Sequence, residues 1–325
     1  MIGEEKKHII TLLPSGVVFE SLPEKTILDS ALDAGIVLEH SCKTGSCGAC
    51  EAKIVTSENH QVDNSDLLTC QVKASCNMTL EADYFPELAD IKCLTVPAKV
   101  NRILHHSSDI MVLELRLPPK NIFNFLPGQY IDLKYNGVVR SYSIASIPNA
   151  KNTLELHFKK VSDGAMSSKI FSPVPEGQLL QIEGPKGSFF FRDTKTGPII
   201  FLATGTGFAP VKAIVSKLIY DEKLNRPIYI YWGNRHSELF YDDSPLDLAK
   251  KFENIHISLC LSREESGWVG RSGYIQDCLL SDGVSLIDAE VYACGSMDMI
   301  NKSREALIES GLDKSSFYSD AFVAS

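Results

Sequence analysis

The apolar positions change rhythm along the chain. Ile9-Ile10-Thr11-Leu12-Leu13, a Pro14-Ser15-Gly16 turn and Val17-Val18-Phe19 form a hairpin signal. Thr26 stands where it would cap a short helix whose Ile27, Leu28, Ala31 and Leu32 recur at helical spacing. From about Val96 to Thr194 the pattern is strand-rich. Ile110 to Leu117 is one strand candidate, Ile131 to Tyr135 turns through Asn136-Gly137 into Val138 to Ser143, and Leu154 to Val161 is another. Such spacing predicts an antiparallel barrel. After Thr194 apolar strands alternate with helical stretches. Ile199-Ile200-Phe201-Leu202-Ala203 is apolar throughout, as in a strand covered on both faces of a parallel sheet. A helix is expected over Pro210 to Ile219, with strands at Ile228 to Tyr231, Ile255 to Leu261 and Glu290 to Ala293, the doubly wound α/β pattern. Ala82 to Thr95, which contains Pro86, reads as a linker.

Composition narrows this picture. A chain of 325 residues exceeds one ordinary core, and 44% apolar residues is a globular proportion. No apolar stretch reaches the length of a membrane span, and the N-terminus lacks the apolar segment of a secretory signal, so the expected compartment is the cytoplasm, with no membrane partner. Residues 1–93 hold fifteen acidic and seven basic side chains, which accounts for nearly all of the chain's net charge of −9. That balance, with no basic stripe, argues against nucleic acid and leaves an acidic face able to steer a basic partner.

Nine cysteines in such a chain point to metal or redox chemistry rather than disulfides. Cys42-Lys43-Thr44-Gly45-Ser46-Cys47-Gly48-Ala49-Cys50 is C-x₄-C-x₂-C, the plant-type ferredoxin spacing for a [2Fe–2S] cluster. Gly45 and Gly48 permit backbone angles that aim amide N–H groups at sulfur. Cys70, after the apolar Leu67-Leu68, is the expected fourth ligand, and Cys76 is its rival. A zinc site on a non-enzymatic module is the alternative, although structural zinc usually takes two short cysteine pairs and only one half of that pattern is present. Cys76, Cys93, Cys260 and Cys278 are expected to pack as small buried residues. His105-His106 reads as a surface turn, and the carboxylates show no pairing that calls for acid–base catalysis.

Arg140-Ser141-Tyr142-Ser143 resembles the R-x-Y-S flavin motif of the ferredoxin–NADP⁺ reductase superfamily, with Pro127-Gly128-Gln129-Tyr130 before it and Gly164-Ala165-Met166-Ser167 after it. Tyr142 would lie against the isoalloxazine, Ser143 would hydrogen-bond flavin N5, and Arg140 would neutralise the pyrophosphate. Gly164, Met166 and Ser167 would open a helix that binds flavin phosphate. Thr204-Gly205-Thr206-Gly207 runs from the buried strand into a helix containing Pro210, a turn that lets backbone approach a dinucleotide. Asn234 and Arg235 end the next strand, near the expected adenosine, and Glu238 close by argues for NADH over NADPH. Cys294, Gly295 and Met297 resemble the superfamily's C-G motif beside the nicotinamide ring, with plain burial as the other reading of Cys294. Phe322 would cover the second flavin face or pack as core.

Taken over the whole chain, the order resembles iron–sulfur flavoprotein reductases. It implies a β-grasp plant-type [2Fe–2S] ferredoxin domain at 1–93, an FAD-binding β-barrel domain at 94–194 and an NAD(P)-binding α/β domain at 195–325. Leu12-Leu13-Pro14-Ser15-Gly16, Tyr84-Phe85-Pro86-Glu87-Leu88, Gly128 to Leu133, Gly205 to Lys212 and Phe317 to Val323 narrow the resemblance to the CDP-6-deoxy-L-threo-D-glycero-4-hexulose-3-dehydrase reductases of 3,6-dideoxysugar biosynthesis. That family passes electrons from NAD(P)H through FAD and [2Fe–2S] to a pyridoxamine-phosphate-dependent CDP-sugar dehydratase. The reductases of aromatic-ring dioxygenases and of several monooxygenases share the same domain order, and there the electron-acceptor protein is an oxygenase component.

Overall fold

The computed structural model describes residues 7–57, 65–119, 123–172, 174–220, 225–263 and 265–322. The extreme N-terminus, the middle of the Cys50–Cys70 segment and Val323 lie outside the described residues. The chain separates into two compact units, Met1–Lys92 and Cys93–Ser325.

The first unit holds a five-stranded sheet built from β1 (His8–Leu13), β2 (Val18–Ser21), β3 (Glu51–Ser57), β4 (Asp66–Leu68) and β5 (Met78–Glu81), in the order β2-β1-β5-β3-β4. β1 and β2 form the expected hairpin, turning at Gly16 with φ of 72°. β1 then pairs parallel with β5, which brings the unit's two ends together. α1 (Ile27–Asp33) starts at Thr26, whose hydroxyl accepts the Asp29 amide at 3.1 Å. Its Ile27, Leu28 and Ala31 are buried with Ile10, Leu12 and Leu80 in one core.

The second unit begins with a curled antiparallel half-barrel of β6 (Leu94–His105), β7 (Ile110–Arg116), β8 (Tyr130–Tyr135), β9 (Val138–Ser143), β10 (Thr153–Lys159) and β11 (Leu179–Lys186). Their order is β10-β7-β6-β11-β8-β9, and an Ile144–Leu156 bridge draws the two outer strands toward each other. Asn136 and Gly137 both take positive φ, as a two-residue hairpin turn requires. α2 (Ser167–Ile170) follows β10.

A six-stranded parallel sheet completes this unit: β12 (Ile199–Thr204), β13 (Ile228–Asn234), β14 (Ile255–Leu261), β15 (Arg271–Ser272), β16 (Glu290–Ser296) and β17 (Phe317–Phe322). Among the described residues, the longer helices α3 (Phe208–Tyr220), α4 (Ser244–Lys251), α5 (Ile275–Ser281) and α6 (Met297–Glu309) connect them. β12 is buried on both faces. Ile199, Phe201 and Ala203 face the α3 side, while Ile200 and Leu202 face α5 and α6. The order β15-β14-β13-β12-β16-β17 reverses direction between β12 and β16. Ligands of such sheets bind outside the strand ends at that reversal.

Two expectations need correction. Ala82 to Thr95 is not a free linker. Tyr84 bridges to Leu38, Phe85 and Leu88 are buried, and Leu94 already begins β6. Apolar side chains within the stretch outweigh the breaking effect of Pro86, which instead starts a short 3₁₀ turn. Cys93 is exposed, unlike Cys76, Cys260 and Cys278, which are buried as expected. Among the described residues no helix is long and apolar enough to cross a membrane.

Candidate functional site

In the first unit the cysteine loop wraps its own sulfurs. Lys43, Gly45 and Gly48 take φ of 55°, 81° and 71°. The Thr44 amide donates to Cys42 Sγ at 3.4 Å, and the amides of Cys47 and Ala49 point at Cys42 and Cys47. Cys50 immediately precedes β3 and Cys70 follows β4. The antiparallel pairing of those strands, extended by the Thr69 amide donating to the Cys50 carbonyl, sets the two residues side by side. Their sulfurs lie 3.1 Å apart. Gln71, to which the sequence reading assigned no role, donates from Nε2 to Cys70 Sγ at 3.3 Å.

Cys42, Cys47, Cys50 and Cys70 are all buried. Burial opposes ionisation of Cys42, yet hydrogen bonds from Thr44 and Cys47 bring its thiol down to about 6. Burial pushes Cys50 up to about 12, helped by the facing Cys70 thiol. Four converging thiols with backbone donors aimed at sulfur suit an anionic, sulfur-rich group that displaces thiol protons on binding.

In the second unit Arg140, Tyr142 and Ser143 lie on β9. The Arg140 guanidinium donates to the Val139 carbonyl at 2.8 Å and has no carboxylate partner among the described residues, so its charge is available to a phosphate. The Tyr142 ring rests on Phe158 of β10 at 4.2 Å. Ser143 is buried, and its hydroxyl donates to Asp320 Oδ2 at 3.4 Å. Gly164 sits in a tight turn before α2, where a Cβ would lie 3.0 Å from the Val161 carbonyl. Ser167 Oγ accepts the Val161 amide at 3.0 Å. The Met166 side chain packs into the half-barrel core, so only its backbone is available to a ligand.

At the sheet reversal, Gly205–Gly207 forms a 3₁₀ turn between Thr204 and α3. Gly205 takes φ of 56°, and a Cβ there would meet nothing within 4 Å, which leaves its backbone open to a ligand. Gly207 has no such room, because a Cβ would lie 2.3 Å from the Cys294 carbonyl. Gly295 packs as tightly on Thr204, with a Cβ position 2.2 Å from its Oγ1. Pro210 occupies the first turn of α3, where a missing N–H costs nothing. Trp232 Nε1 donates to the Gly205 carbonyl at 2.9 Å and stacks on Phe208.

Cys294 is fully buried near the end of β16. Burial, then the nearby Asp320 carboxylate, pushes its thiol well above the usual range. Met297 opens α6, which Ser296 caps by accepting the Met299 amide. Asn234 is buried at the end of β13 and Arg235 is exposed beside it. Phe322 is 39% exposed on β17, which overturns its reading as core. The sequence reading missed Asp320. Its signal was the two-residue period of a strand, which puts it on the same face as Phe322.

Residues 10–75 match the 2Fe-2S iron-sulfur cluster binding domain, residues 97–191 the oxidoreductase FAD-binding domain and residues 201–305 the oxidoreductase NAD-binding domain. Protein RfbI of Salmonella typhimurium is 45% identical, covering 98% of this chain and 97% of that protein. The CDP-6-deoxy-L-threo-D-glycero-4-hexulose-3-dehydrase reductase of Yersinia pestis is 43% identical, with 97% and 98% covered. Terephthalate 1,2-dioxygenase reductase component 1 of Comamonas is 32% identical, with 98% of each chain covered. Among solved structures, the Amycolatopsis cytochrome P450 reductase GcoB superposes with a TM-score of 0.77 over 98% of this chain and 99% of its own. At 21% identity that likeness concerns the fold alone.

Proposed function

This chain belongs to the family of iron–sulfur flavoprotein reductases, NAD(P)H-dependent oxidoreductases carrying a [2Fe–2S] cluster and FAD, and on that premise we propose that its electrons serve 3,6-dideoxysugar biosynthesis. The acceptor is a pyridoxamine-phosphate-dependent dehydratase that removes the C3 hydroxyl of a CDP-sugar, and the compartment is the cytoplasm. What carries this reading is 43–45% identity over nearly the full length to Protein RfbI and to a reductase named for that dehydrase, against 32% to the dioxygenase component.

FAD, when bound, converts the hydride of a nicotinamide into single electrons that the cluster can carry. Cys42, Cys47, Cys50 and Cys70 hold the cluster, with their surrounding amides and Gln71 as donors to sulfur. Arg140 offsets flavin phosphate charge together with the Gly164–Ser167 turn, Tyr142 presents its ring to the flavin, and Ser143 presents its hydroxyl, oriented by Asp320. Gly205, Thr206 and Gly207 bring backbone to the nucleotide pyrophosphate. Cys294, Gly295 and Met297 would line the nicotinamide end of the nucleotide site, and Phe322 would cover the flavin.

NADH is the expected donor. Asn234 suits a ribose hydroxyl and the Glu238 carboxylate disfavours a phosphate, although Lys159 beside Arg235 adds positive charge there. A tenfold or greater advantage of NADH in kcat/KM with a dye acceptor is expected. A preference for NADPH would reverse the assignment and make Arg235 and Lys159 the first residues to mutate.

The decisive experiment is anaerobic reconstitution. The brown-yellow holoprotein, NADH, the dehydratase and CDP-6-deoxy-L-threo-D-glycero-4-hexulose should together yield the 3-deoxy sugar. Flavin and cluster reduction by NADH with no sugar turnover, but with electron delivery to an oxygenase component, would replace the acceptor and keep the reductase.

A further inference from the structure

A buried polar cluster, unforeseen in the carboxylate pattern, joins the half-barrel to the parallel sheet. His157 on β10 has no exposed side-chain surface. Its Nε2 lies 2.7 Å from Glu155 Oε1, and its Nδ1 lies 2.7 Å from the Tyr241 hydroxyl. Lys212, on α3 just past the nucleotide turn, reaches Glu155 at 2.7 Å and Asp242 at 2.8 Å. Glu155, His157 and Asp242 bring their ligating atoms within 4.8 Å of one another, but the Lys212 ammonium bridges both carboxylates and supplies the cation that a metal would otherwise provide.

The charge states follow from the neighbours. Burial works against Glu155 and Asp242, yet the partners of each hold it below the usual carboxylate range: His157 and Lys212 for Glu155, Lys212 and Ser244 for Asp242. Burial keeps His157 neutral. An ionised Glu155 only accepts, so Nε2–H donates to it, and Nδ1 accepts from the Tyr241 hydroxyl.

This cluster lies on a continuous path between the two cofactor-facing elements. On the nucleotide side, Trp232 donates to the Gly205 carbonyl and sets its ring edge-on to Tyr241 at 5.2 Å. On the flavin side, Phe158 follows His157 in the strand and projects to the opposite face, where it supports Tyr142. β10 also packs directly on the Gly205–Gly207 turn. One strand therefore props the flavin-facing tyrosine with Phe158 and ties toward the nucleotide turn, through Tyr241 and Trp232, with His157 just before it.

We propose that His157, acting with Tyr241 and Glu155, is a positioning residue for hydride transfer that fixes the Gly205–Gly207 turn relative to Tyr142. The proposal rests on the reading that NADH reduces the flavin. A hydride donor displaced by a fraction of an ångström reacts far more slowly at unchanged occupancy.

The test is anaerobic stopped-flow reduction of the holoprotein's flavin over a range of NADH concentrations, for wild type, Tyr241→Phe, His157→Leu and His157→Gln. Tyr241→Phe removes one oxygen and should lower the limiting rate about tenfold. Half-saturating NADH should stay within about twofold and flavin absorbance should stay full. His157→Gln keeps one donor and one acceptor and should recover part of the rate lost in His157→Leu. If His157→Leu loses flavin or fails to fold, Tyr241→Phe and His157→Gln decide. Wild-type limiting rates with only a lowered melting temperature would make the cluster a plain structural strut and overturn the proposal. So would a change confined to half-saturation. A wild-type protein whose flavin NADH does not reduce would instead overturn the underlying functional reading.

Discussion

Cys42 and Cys294 are both buried, yet their thiols are tuned in opposite directions. At Cys42, the side chain and then the amide of Thr44, followed by the side chain and amide of Cys47, hydrogen-bond the sulfur in a loop turned by residues of positive φ, and together they overcome the cost of burial. Cys294 sits in a parallel strand whose amides are committed to pairing, and the nearest charge is the Asp320 carboxylate. Burial alone therefore does not decide thiol chemistry. What decides it is the balance between burial and the donors that reach the sulfur: Cys47, on the same loop, also takes amide donors, yet burial and the neighbouring Cys42 thiol push it up.

The most severe way to test the loop half of this contrast is Cys70→Ser. It should eliminate most cluster absorbance and iron while FAD stays bound, because the Cys70 sulfur stands 3.1 Å from that of Cys50. A cluster that survives Cys70→Ser but is lost in Cys76→Ser would transfer the fourth position to Cys76.

The sheet half is most sensitive at Gly207. Gly207→Ala drives a Cβ into the Cys294 carbonyl and should cost about 3 kcal/mol of stability and most NADH-dependent flavin reduction. Gly205→Ala meets no atom within 4 Å and should cost about 1 kcal/mol, the strain of its positive φ. Thermal melts and single-turnover reduction rates measure both. Equal effects at the two glycines would mean that close packing between the Gly205–Gly207 turn and β16 is unimportant.

Cys294→Ala should slow flavin reduction by NADH about tenfold, which is about 1.4 kcal/mol of barrier, with flavin retained. An unchanged rate would leave Cys294 as core alone.

The smallest expected effect separates the two thiols directly. In cluster-free protein, alkylation of Cys42 should rise through about pH 6, whereas Cys294 should stay unreactive to beyond pH 9. Asp320→Asn removes the carboxylate that favours the neutral thiol, so it should shift the onset at Cys294 to lower pH. Burial, the larger cause, remains, and the onset should still lie above the ordinary thiol range. Mass-spectrometric labelling against pH reads both positions, and coincident profiles would refute the contrast.

Local order was legible in the residues. Hairpin turns at Gly16 and Asn136-Gly137, the Thr26 cap, the doubly apolar strand β12 and the glycine turn after it all follow from relations within a few positions. The spacing of Cys42, Cys47 and Cys50 is likewise a property of one loop. Pairings between distant segments were decided by tertiary structure. The β3–β4 register brings Cys70 to Cys50 across 20 residues. Ser143 meets Asp320 across 177, and His157 meets Tyr241 across 84. Burial of Phe85 and Leu88 and exposure of Cys93 and Phe322 depend on what packs nearby, which composition does not state. The reason is physical: turn, cap and strand-period preferences act over a few residues, so a sequence displays them directly. Which carboxylate reaches which hydroxyl depends on strand order and register, and these are set by the burial of a whole core at once.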